Sequence, residues 1–225
     1  VERAVRRLPA DERQRVLRSR RECDRRRSAL GALLVRSVLA EHLKRSPVEL
    51  HVRRTDTGRP YLANPGSWKG DFNLSHSGEW LVLALTDRGR VGVDVQQIRD
   101  VDLGVARICF TPEEREALAL VPGDELRTLF FRIWTLKEAL AKATGLGLGG
   151  RDWTKLGVDT SALKEGRFAF RDCAGEPVHG WHCREQSLDA SHRMAICASE
   201  QPFPRGIRLL DPGELLTEPV LRGSR

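Results

Sequence analysis

Residues 130–145 read FFRIWTLKEALAKATG and lie within a longer segment, residues 125–143, that is predicted to be one helix. Strand-like segments stand on both sides of this helix, and strands and helices do not alternate as they do in a parallel sheet. The order of elements therefore predicts the α+β class. The strand-like segments nearest to the helix are residues 91–95, 166–171, 178–184 and 193–198.

The N-terminal half repeats the order of a helix followed by strands. Its clearest helix spans residues 24–43, where apolar residues recur at spacings of three and four. The strand-like segments that follow are 48–54, 72–75, 80–85 and 91–95, and the last two are predicted to pair across the turn at residues 87–90.

The repeated order predicts two similar α+β lobes. We expect an N-terminal lobe over residues 1–100, a C-terminal lobe over residues 101–205 and a weakly structured tail over residues 206–225.

Composition excludes several classes of protein. The chain has 225 residues, of which 40% are hydrophobic and 31% are charged, so it can bury a core and remain hydrated. No run approaches the roughly 20 apolar residues that span a bilayer, which excludes a membrane channel. The five cysteines are scattered and odd in number, which argues against a disulfide framework and favours a cytoplasmic location.

The charge balance is strongly basic. The net charge is +7, and the first 27 residues contain 11 arginines against five acidic residues. A basic surface attracts nucleic acid, phosphorylated metabolites or an acidic protein, and composition does not choose among the three.

Three segments contain side chains that could bind a ligand or take part in catalysis. Residues 72–78, FNLSHSG, place two hydroxyls and an imidazole after a strand, where they would bind a phosphate or cap a turn. Residues 91–96, VGVDVQ, place Asp94 and Gln96 on one face of a strand. An inward carboxylate needs a metal, a cation or strong hydrogen bonds, and a structural ion pair would also satisfy it.

The third segment is the helix itself. Trp134, Lys137, Glu138 and Lys142 are expected roughly along one of its faces. A Glu138–Lys142 pair that only stabilises the helix is the alternative, and it accounts for one pair but not for the whole set.

Taken together, these segments resemble the 4′-phosphopantetheinyl transferase superfamily, in its larger two-lobed Sfp-type branch. The resemblance rests on their order and spacing and extends loosely over about residues 20–205. Its elements are the Gly58-Arg59-Pro60 turn, the NLSHS segment at 73–77, the VGVD segment at 91–94, Trp134 with the KEA run at 137–139, Lys142, and GLGL at 145–148.

The resemblance implies an activity. Such enzymes move the phosphopantetheine arm of coenzyme A onto a serine of an apo carrier protein, which yields holo-carrier protein and 3′,5′-ADP. It also implies Mg²⁺, or Mn²⁺ in its place, held by Asp94 and Glu138 from separate lobes. The active site would then lie in the cleft between two lobes that a pseudo-twofold axis relates. Gln96 stands where many members carry a third acidic ligand, so it would bring an amide oxygen without a charge and a weaker metal site.

Roles for further residues follow from the same resemblance. Glu138, Asp94 and Lys142 would be catalytic, with Glu138 acting as a base directly or through a metal-bound water. The coenzyme A contacts would be Lys137 and Lys142 at the pyrophosphate, Ser75 and His76 at the 3′-phosphate, Arg59 at the nucleotide end, and the basic region at Arg25, Arg26 and Arg27.

The expected partners are coenzyme A and an acidic carrier protein whose docking a basic rim would accelerate. We expect a monomer that binds neither a membrane nor a specific nucleic acid. Two alternatives stay open: a basic nucleic-acid-binding module, favoured by the arginine-rich N-terminus, and a coenzyme A-binding pseudoenzyme, favoured by Gln96.

Overall fold

A computed structural model describes residues 1–145, 153–200 and 206–217 of the chain. Apart from Gly145, the glycine- and leucine-rich stretch at residues 145–150 lies outside the described residues. No helix in the described part of the chain is both long enough and apolar enough to cross a membrane.

The described residues form eight α-helices, two short 3₁₀ helices and nine strands. The helices are α1 (Glu2–Arg6), α2 (Ala10–Leu17), α3 (Glu22–Leu43), α4 (Gly104–Cys109), α5 (Pro112–Ala119), α6 (Gly123–Thr144), α7 (Thr160–Lys164) and α8 (Pro212–Thr217), with 3₁₀ helices at Pro47–Glu49 and Trp153–Lys155. The strands are β1 (Val52–Arg54), β2 (Pro60–Leu62), β3 (Asp71–Ser77), β4 (Trp80–Thr86), β5 (Val91–Gln97), β6 (Leu156–Val158), β7 (Phe170–Asp172), β8 (His182–Asp189) and β9 (His192–Ala198).

The α+β class is confirmed, and helices α3 and α6 lie where the apolar periodicity placed them. The tail that the sequence marked as weakly structured contains the short helix α8. The predicted pairing of β4 with β5 is wrong, because β4 pairs with β3 and β5 pairs with β9. Strand β5 is thus part of a three-stranded antiparallel sheet of order β5-β9-β8.

The chain divides into two compact units. The first unit comprises Val1–Trp68 and Pro202–Arg225, and the second comprises Lys69–Gln201. This division differs from the expected one, because residues 69–100 group with the C-terminal half. The reason is that β5 pairs along its whole length with β9 and packs against α6.

In the first unit, helix α3 is the central element. Its residues Ala29 and Leu33 pack with apolar residues of α1 and α2. Arg36 of α3 is buried against Glu12, with 2.6 Å between Nη2 and Oε1, and it also donates to the backbone carbonyls of Pro47 and Leu50. These bonds satisfy a buried guanidinium that would otherwise destabilise the core.

In the second unit, helix α6 lies very close to strand β5 at Gly92. A Cβ atom at Gly92 would lie 2.0 Å from the carbonyl oxygen of Ala139 and 2.4 Å from the amide nitrogen of Ala143. The missing side chain therefore lets the backbone of α6 approach the strand. Along its length the helix buries a continuous apolar stripe, which is Ile133, Leu136, Leu140 and Ala143.

A disulfide joins Cys183 of β8 to Cys197 of β9, which the scattered cysteines did not predict. The two residues face each other directly in the register of the strand pair, with their Cα atoms 4.3 Å apart. Their separation of 14 residues gives no sign of this proximity, because only the strand pairing creates it.

The contact at Gly92 generates a prediction about stability. Gly92→Ala places a methyl group against the backbone of α6, and overpacking of this kind costs about 1–3 kcal/mol or more. We expect the free energy of unfolding, measured by urea titration, to fall by at least that amount.

Gly123→Ala is the matched control, because Gly123 lies in the same helix and an added Cβ there would meet no atom within 4 Å. That variant should be as stable as the parent protein, or slightly more stable. Equal stability of the Gly92 and Gly123 variants would contradict the close approach of α6 to β5.

Candidate active site

Asp94 is the most deeply buried carboxylate among the predicted site residues, with 2% of its surface exposed. Its Oδ1 atom accepts hydrogen bonds from the Lys142 ammonium at 2.6 Å and from the Ser75 hydroxyl at 2.8 Å. Its Oδ2 atom accepts one from the Gln96 amide at 3.0 Å. A buried charge with a cation and two neutral donors is well satisfied, so the strand can carry it at the core.

Glu138 lies one helical turn before Lys142 on α6 and is partly buried. Burial and the neighbouring negative charge of Asp94 raise the pKa of Glu138 to about 7, although the Lys142 ammonium acts in the opposite direction. Asp94 and Glu138 are therefore close enough to repel each other. We call these two residues the acidic pair.

The acidic pair comes from two elements of the second unit, Asp94 from β5 and Glu138 from α6. The sequence had placed the two residues in separate lobes. The close contact at Gly92, two residues before Asp94, explains why Glu138 lies near Asp94, since it brings the helix turn that contains Ala139 onto the strand.

Lys137 does not join this cluster, contrary to the role expected for it at the pyrophosphate. Only 2% of Lys137 is exposed, and its ammonium donates to Glu114 Oε2 at 2.7 Å and to the Trp153 carbonyl at 2.9 Å. It also lies 5.5 Å from the centre of the Phe110 ring. Two of its three N–H donors thus serve buried acceptors in the interior of the protein.

Glu114 is the residue that sequence reasoning missed. It is fully buried and accepts from Lys137, from the backbone N–H of Thr111 at 2.8 Å and from that of Val158 at 2.6 Å. The signal that could have identified it is the TPEE sequence at residues 111–114. There Glu114 completes a capping box with Thr111 and also reaches the ammonium of Lys137.

Trp134 belongs to an aromatic cluster and not to the acidic pair. Its ring stacks on Phe130 with centroids 5.9 Å apart and lies 6.4 Å from that of Phe110. The site residues of α6 therefore do not share one face of the helix, as the sequence had predicted. A step of one residue turns a helix by about 100°, so Lys137 and Glu138 point to different sides.

Ser75, His76 and Ser77 lie on β3, where side chains alternate between two sides. Ser75 is buried and contacts Asp94, whereas His76 is exposed. The Ser77 hydroxyl accepts the backbone N–H of Gln97 at 3.0 Å. Of Ser75 and His76, which were both expected at the 3′-phosphate, only His76 presents its side chain at the surface.

The remaining candidates, Arg59 and the cluster Arg25–Arg27, belong to the first unit. The backbone of Arg59 is held in its turn by Thr55, which accepts its N–H at 3.2 Å. Arg25 donates to the Ser19 carbonyl at 2.7 Å, and Arg27 pairs with Asp24 at 3.6 Å. Two of the three arginines in the cluster therefore make local contacts.

The acidic pair suits a magnesium ion that takes only two of its ligands from the protein. Within the described residues, no group of three or more His, Cys, Asp or Glu side chains is arranged to hold a metal. Mg²⁺ is often bound by one or two carboxylates together with water and substrate phosphates, so two are sufficient. The raised pKa of Glu138 also favours a bound cation, because a cation between Asp94 and Glu138 would relieve the repulsion of their carboxylates.

Comparison with known proteins gives a consistent result. The sequence profile of the 4′-phosphopantetheinyl transferase superfamily matches residues 90–197, and that described as 4′-phosphopantetheinyl transferase, N-terminal, matches residues 1–88. The chain is 33% identical over 204 residues to a phosphopantetheinyl transferase of Thraustochytrium sp., covering 84% of this chain and 69% of that protein.

The matches to two bacterial relatives cover a larger share of those proteins. The 4′-phosphopantetheinyl transferase psf-1 of Bacillus pumilus is 32% identical over 198 residues, which are 86% of this chain and 80% of that protein. The 4′-phosphopantetheinyl transferase Sfp of Bacillus subtilis is 26% identical over 212 residues, covering 93% of this chain and 90% of that protein.

The buried pair of Lys137 and Glu114 generates a prediction about stability. Lys137→Met leaves the Glu114 carboxylate buried without its cation, which costs about 3–5 kcal/mol in comparable pairs. Urea titration should show a loss of this size, and adding Glu114→Gln to the same variant should restore part of it.

Arg167→Met is the control, because Arg167 forms an ion pair with Glu165 that is exposed on both sides. It should leave the unfolding midpoint unchanged. If Lys137→Met were equally silent, the ammonium of Lys137 would not be held in the interior.

Proposed function

Because this chain belongs to the 4′-phosphopantetheinyl transferase superfamily, we propose that it transfers the phosphopantetheine arm of coenzyme A to a serine of a carrier protein. The observation that carries the proposal is the acidic pair beside the Lys142 ammonium, a grouping that suits a pyrophosphate with its cation. The products would be holo-carrier protein and 3′,5′-ADP.

The reaction exchanges one phosphorus–oxygen bond for another. The serine oxygen forms a bond to the β-phosphorus of coenzyme A, and the bond from that phosphorus to the bridging oxygen breaks. The electrons of the broken bond leave with 3′,5′-ADP, and the serine hydroxyl loses its proton. Transfers of this type depend on positioning and on neutralising charge.

We assign the acidic pair to a divalent cation, Mg²⁺ or Mn²⁺. Asp94 and Glu138 would hold it, and Gln96, whose amide already donates to Asp94 at 3.0 Å, would contribute at most its oxygen. When bound, such an ion draws negative charge away from the pyrophosphate oxygens.

Lys142 and Glu138 are the side chains to which we give roles in the transfer itself. The Lys142 ammonium, 27% exposed and on a flexible stem, would turn from Asp94 to the pyrophosphate oxygens. Glu138 would accept the serine proton, directly or through a bound water. Lys137 has no part in this assignment, because its ammonium is buried against Glu114.

The nucleotide end of coenzyme A carries a 3′-phosphate, and we propose His76 as one of its contacts, since this imidazole is exposed. Arg59 and the cluster Arg25–Arg27 are further candidates for the same end of the molecule. Guanidinium groups suit phosphate because their donors form a rigid fork.

The partner would be an acidic carrier protein, which fits the net charge of +7. We propose a monomeric enzyme that works in the cytoplasm, where the Cys183–Cys197 disulfide would be open to reduction. A nucleic-acid-binding module would instead bind arbitrary DNA tightly in a salt-sensitive way, and a pseudoenzyme would bind coenzyme A without transfer at any Mg²⁺ or Mn²⁺ concentration.

The acidic pair generates a prediction about activity. Asp94→Asn and Glu138→Gln each remove one negative charge while keeping the shape of the side chain. Each should lower the transfer rate by about 100-fold or more. Mass spectrometry of an apo-carrier protein incubated with coenzyme A and Mg²⁺ would follow the reaction as a gain of about 340 Da.

Glu165→Gln is the control for these variants, because Glu165 is an exposed carboxylate paired only with a nearby arginine in the described contacts. It should transfer at the parental rate. Parental rates in either variant of the acidic pair would overturn the assignment of those residues.

The assignment of His76 generates a separate prediction. His76→Ala should raise the KM for coenzyme A by about 10-fold and leave kcat nearly unchanged, because it removes one phosphate contact at a distance from the reacting phosphorus. Steady-state kinetics with varied coenzyme A would measure both constants. An unchanged KM would exclude His76 from the phosphate contact.

A further inference from the structure

The tight turn between β3 and β4 lies against the tight turn between β8 and β9. Ser77 pairs with Trp80 across the first turn, and Asp189 pairs with His192 across the second. The indole Nε1–H of Trp80 donates to Asp189 Oδ2 at 2.7 Å, although the two residues are 109 positions apart in the chain. A side-chain hydrogen bond therefore joins the two hairpins at their tips.

Asp189 accepts further hydrogen bonds from its own hairpin. The backbone N–H of Ser191 donates to Asp189 Oδ1 at 2.7 Å, and the Ser191 hydroxyl does so at 3.0 Å. Nδ1 of His192 lies 3.0 Å from both carboxylate oxygens. Hydrogen bonds from Trp80, His192 and Ser191 hold the pKa of Asp189 well below its usual range, so the group is an anion at neutral pH. An ionised carboxylate can only accept, so Nδ1 of His192 carries a proton.

The other side of the His192 ring lies on the β3–β4 turn. His192 is 5% exposed, and its Nε2 atom has no hydrogen-bond partner among the described residues. A Cβ atom at Gly78 would lie 2.5 Å from this Nε2 atom, and Gly78 has a φ of +55°. Glycine suits the turn for both reasons. The ring is therefore packed between Asp189 and the backbone of the turn, so the carboxylate holds the turn through the ring as well as through Trp80.

The β3–β4 turn is also held from β5. The Ser77 hydroxyl accepts the backbone N–H of Gln97 at 3.0 Å, and Gln97 lies opposite His192 in the pairing of β5 with β9. The residue before Ser77 is His76, whose exposed imidazole we assigned to the 3′-phosphate of coenzyme A. The backbone that carries His76 is thus supported by strand β5 and by the hairpin tip that contains Asp189.

We propose that Asp189 is a positioning residue for coenzyme A: by holding the β3–β4 turn, it fixes the imidazole of His76. The inference rests on the proposed function, because it concerns the phosphate contact assigned to His76. An anion such as Asp189 repels a phosphate, so its contribution comes from where it holds the turn. A hydrogen bond to a charged phosphate depends on its geometry, so a displaced imidazole binds the phosphate more weakly.

Asp189→Ala and Asp172→Ala form a matched pair for the test. Both residues are exposed aspartates of the second unit that close a local turn, since Asp172 accepts the backbone N–H groups of Ala174 and Glu176 at 2.9 Å. In the described contacts, only Asp189 also bonds to the β3–β4 hairpin. Isothermal titration calorimetry in the presence of Mg²⁺ would measure the dissociation constants of coenzyme A and of dephospho-coenzyme A, which lacks the 3′-phosphate.

We expect Asp189→Ala to bind coenzyme A about 5-fold more weakly than the parent, which is less than the roughly 10-fold effect expected from removing the imidazole itself. Loss of a negative charge alone would tighten the binding of a phosphate, so a weakening separates positioning from charge. Dephospho-coenzyme A should bind Asp189→Ala as it binds the parent, and Asp172→Ala should bind both donors as the parent does. An equal loss with both donors, or no loss with coenzyme A, would overturn the inference.

A double-mutant cycle tests whether Asp189 acts through His76. In a His76→Ala background, the further change Asp189→Ala should not weaken the binding of coenzyme A again, because the imidazole that it positions is gone. Losses that simply add would mean that the two residues act independently, and that result would contradict the proposed role of Asp189.

If Asp189→Ala does not fold, Trp80→Phe decides, because it removes the indole N–H and keeps an aromatic ring. A loss of affinity confined to coenzyme A would then support the inference, and parental affinity would overturn it. A parent protein that binds coenzyme A but transfers nothing would refute the proposed function, and the dissociation constants would still decide the role of Asp189.

Discussion

The second unit depends on the close approach of helix α6 to strand β5 at Gly92, where the absence of a side chain lets the backbone at Ala139 and Ala143 lie against the strand. A bulkier residue would push the helix outward and separate Glu138 and Lys142 from Asp94. The packing at Gly92 therefore also determines where the charged side chains of α6 lie relative to Asp94. The apolar stripe of α6 packs the helix on the strand and so places Glu138 and Lys142 near Asp94.

The rotation of α6 then decides which of its charges serve the site. Lys137 and Glu138 are neighbours in sequence, yet one is buried against Glu114 and the other lies beside Asp94. The buried ion pair of Lys137 with Glu114 gives the helix a fixed rotation, since turning it would withdraw the ammonium of Lys137 from its only carboxylate partner in the described contacts. Glu114 itself is held by two backbone N–H groups, from Thr111 and Val158, so the anchor extends to α5 and β6.

The polar residues of β3 have a structural role that their residue types do not indicate: their side-chain oxygens accept backbone N–H groups of β5. Two hydroxyls and an imidazole after a strand suit a phosphate site, and the family resemblance assigned Ser75 to such a site. In the structure, Asn73 and Ser75 give their oxygens to backbone N–H groups of β5. The same residues that complete the edge of the strand also deliver a hydroxyl to Asp94, so fold and site share one set of hydrogen bonds.

The sequence by itself determined the α+β class, most of the helices and strands, the shared face of Asp94 and Gln96, and membership of the superfamily, because periodicity and motif order are local properties of the chain. It did not reveal the pairing of β5 with β9, the Cys183–Cys197 disulfide, the burial of Lys137 or the partners of Ser75. Only the tertiary structure decided these, because each depends on a contact between segments that are far apart in the chain or on the side of a helix that the core covers. Spacing can say that Lys137 and Glu138 share a helix, but the packing of that helix on β5 decides which of them reaches the site.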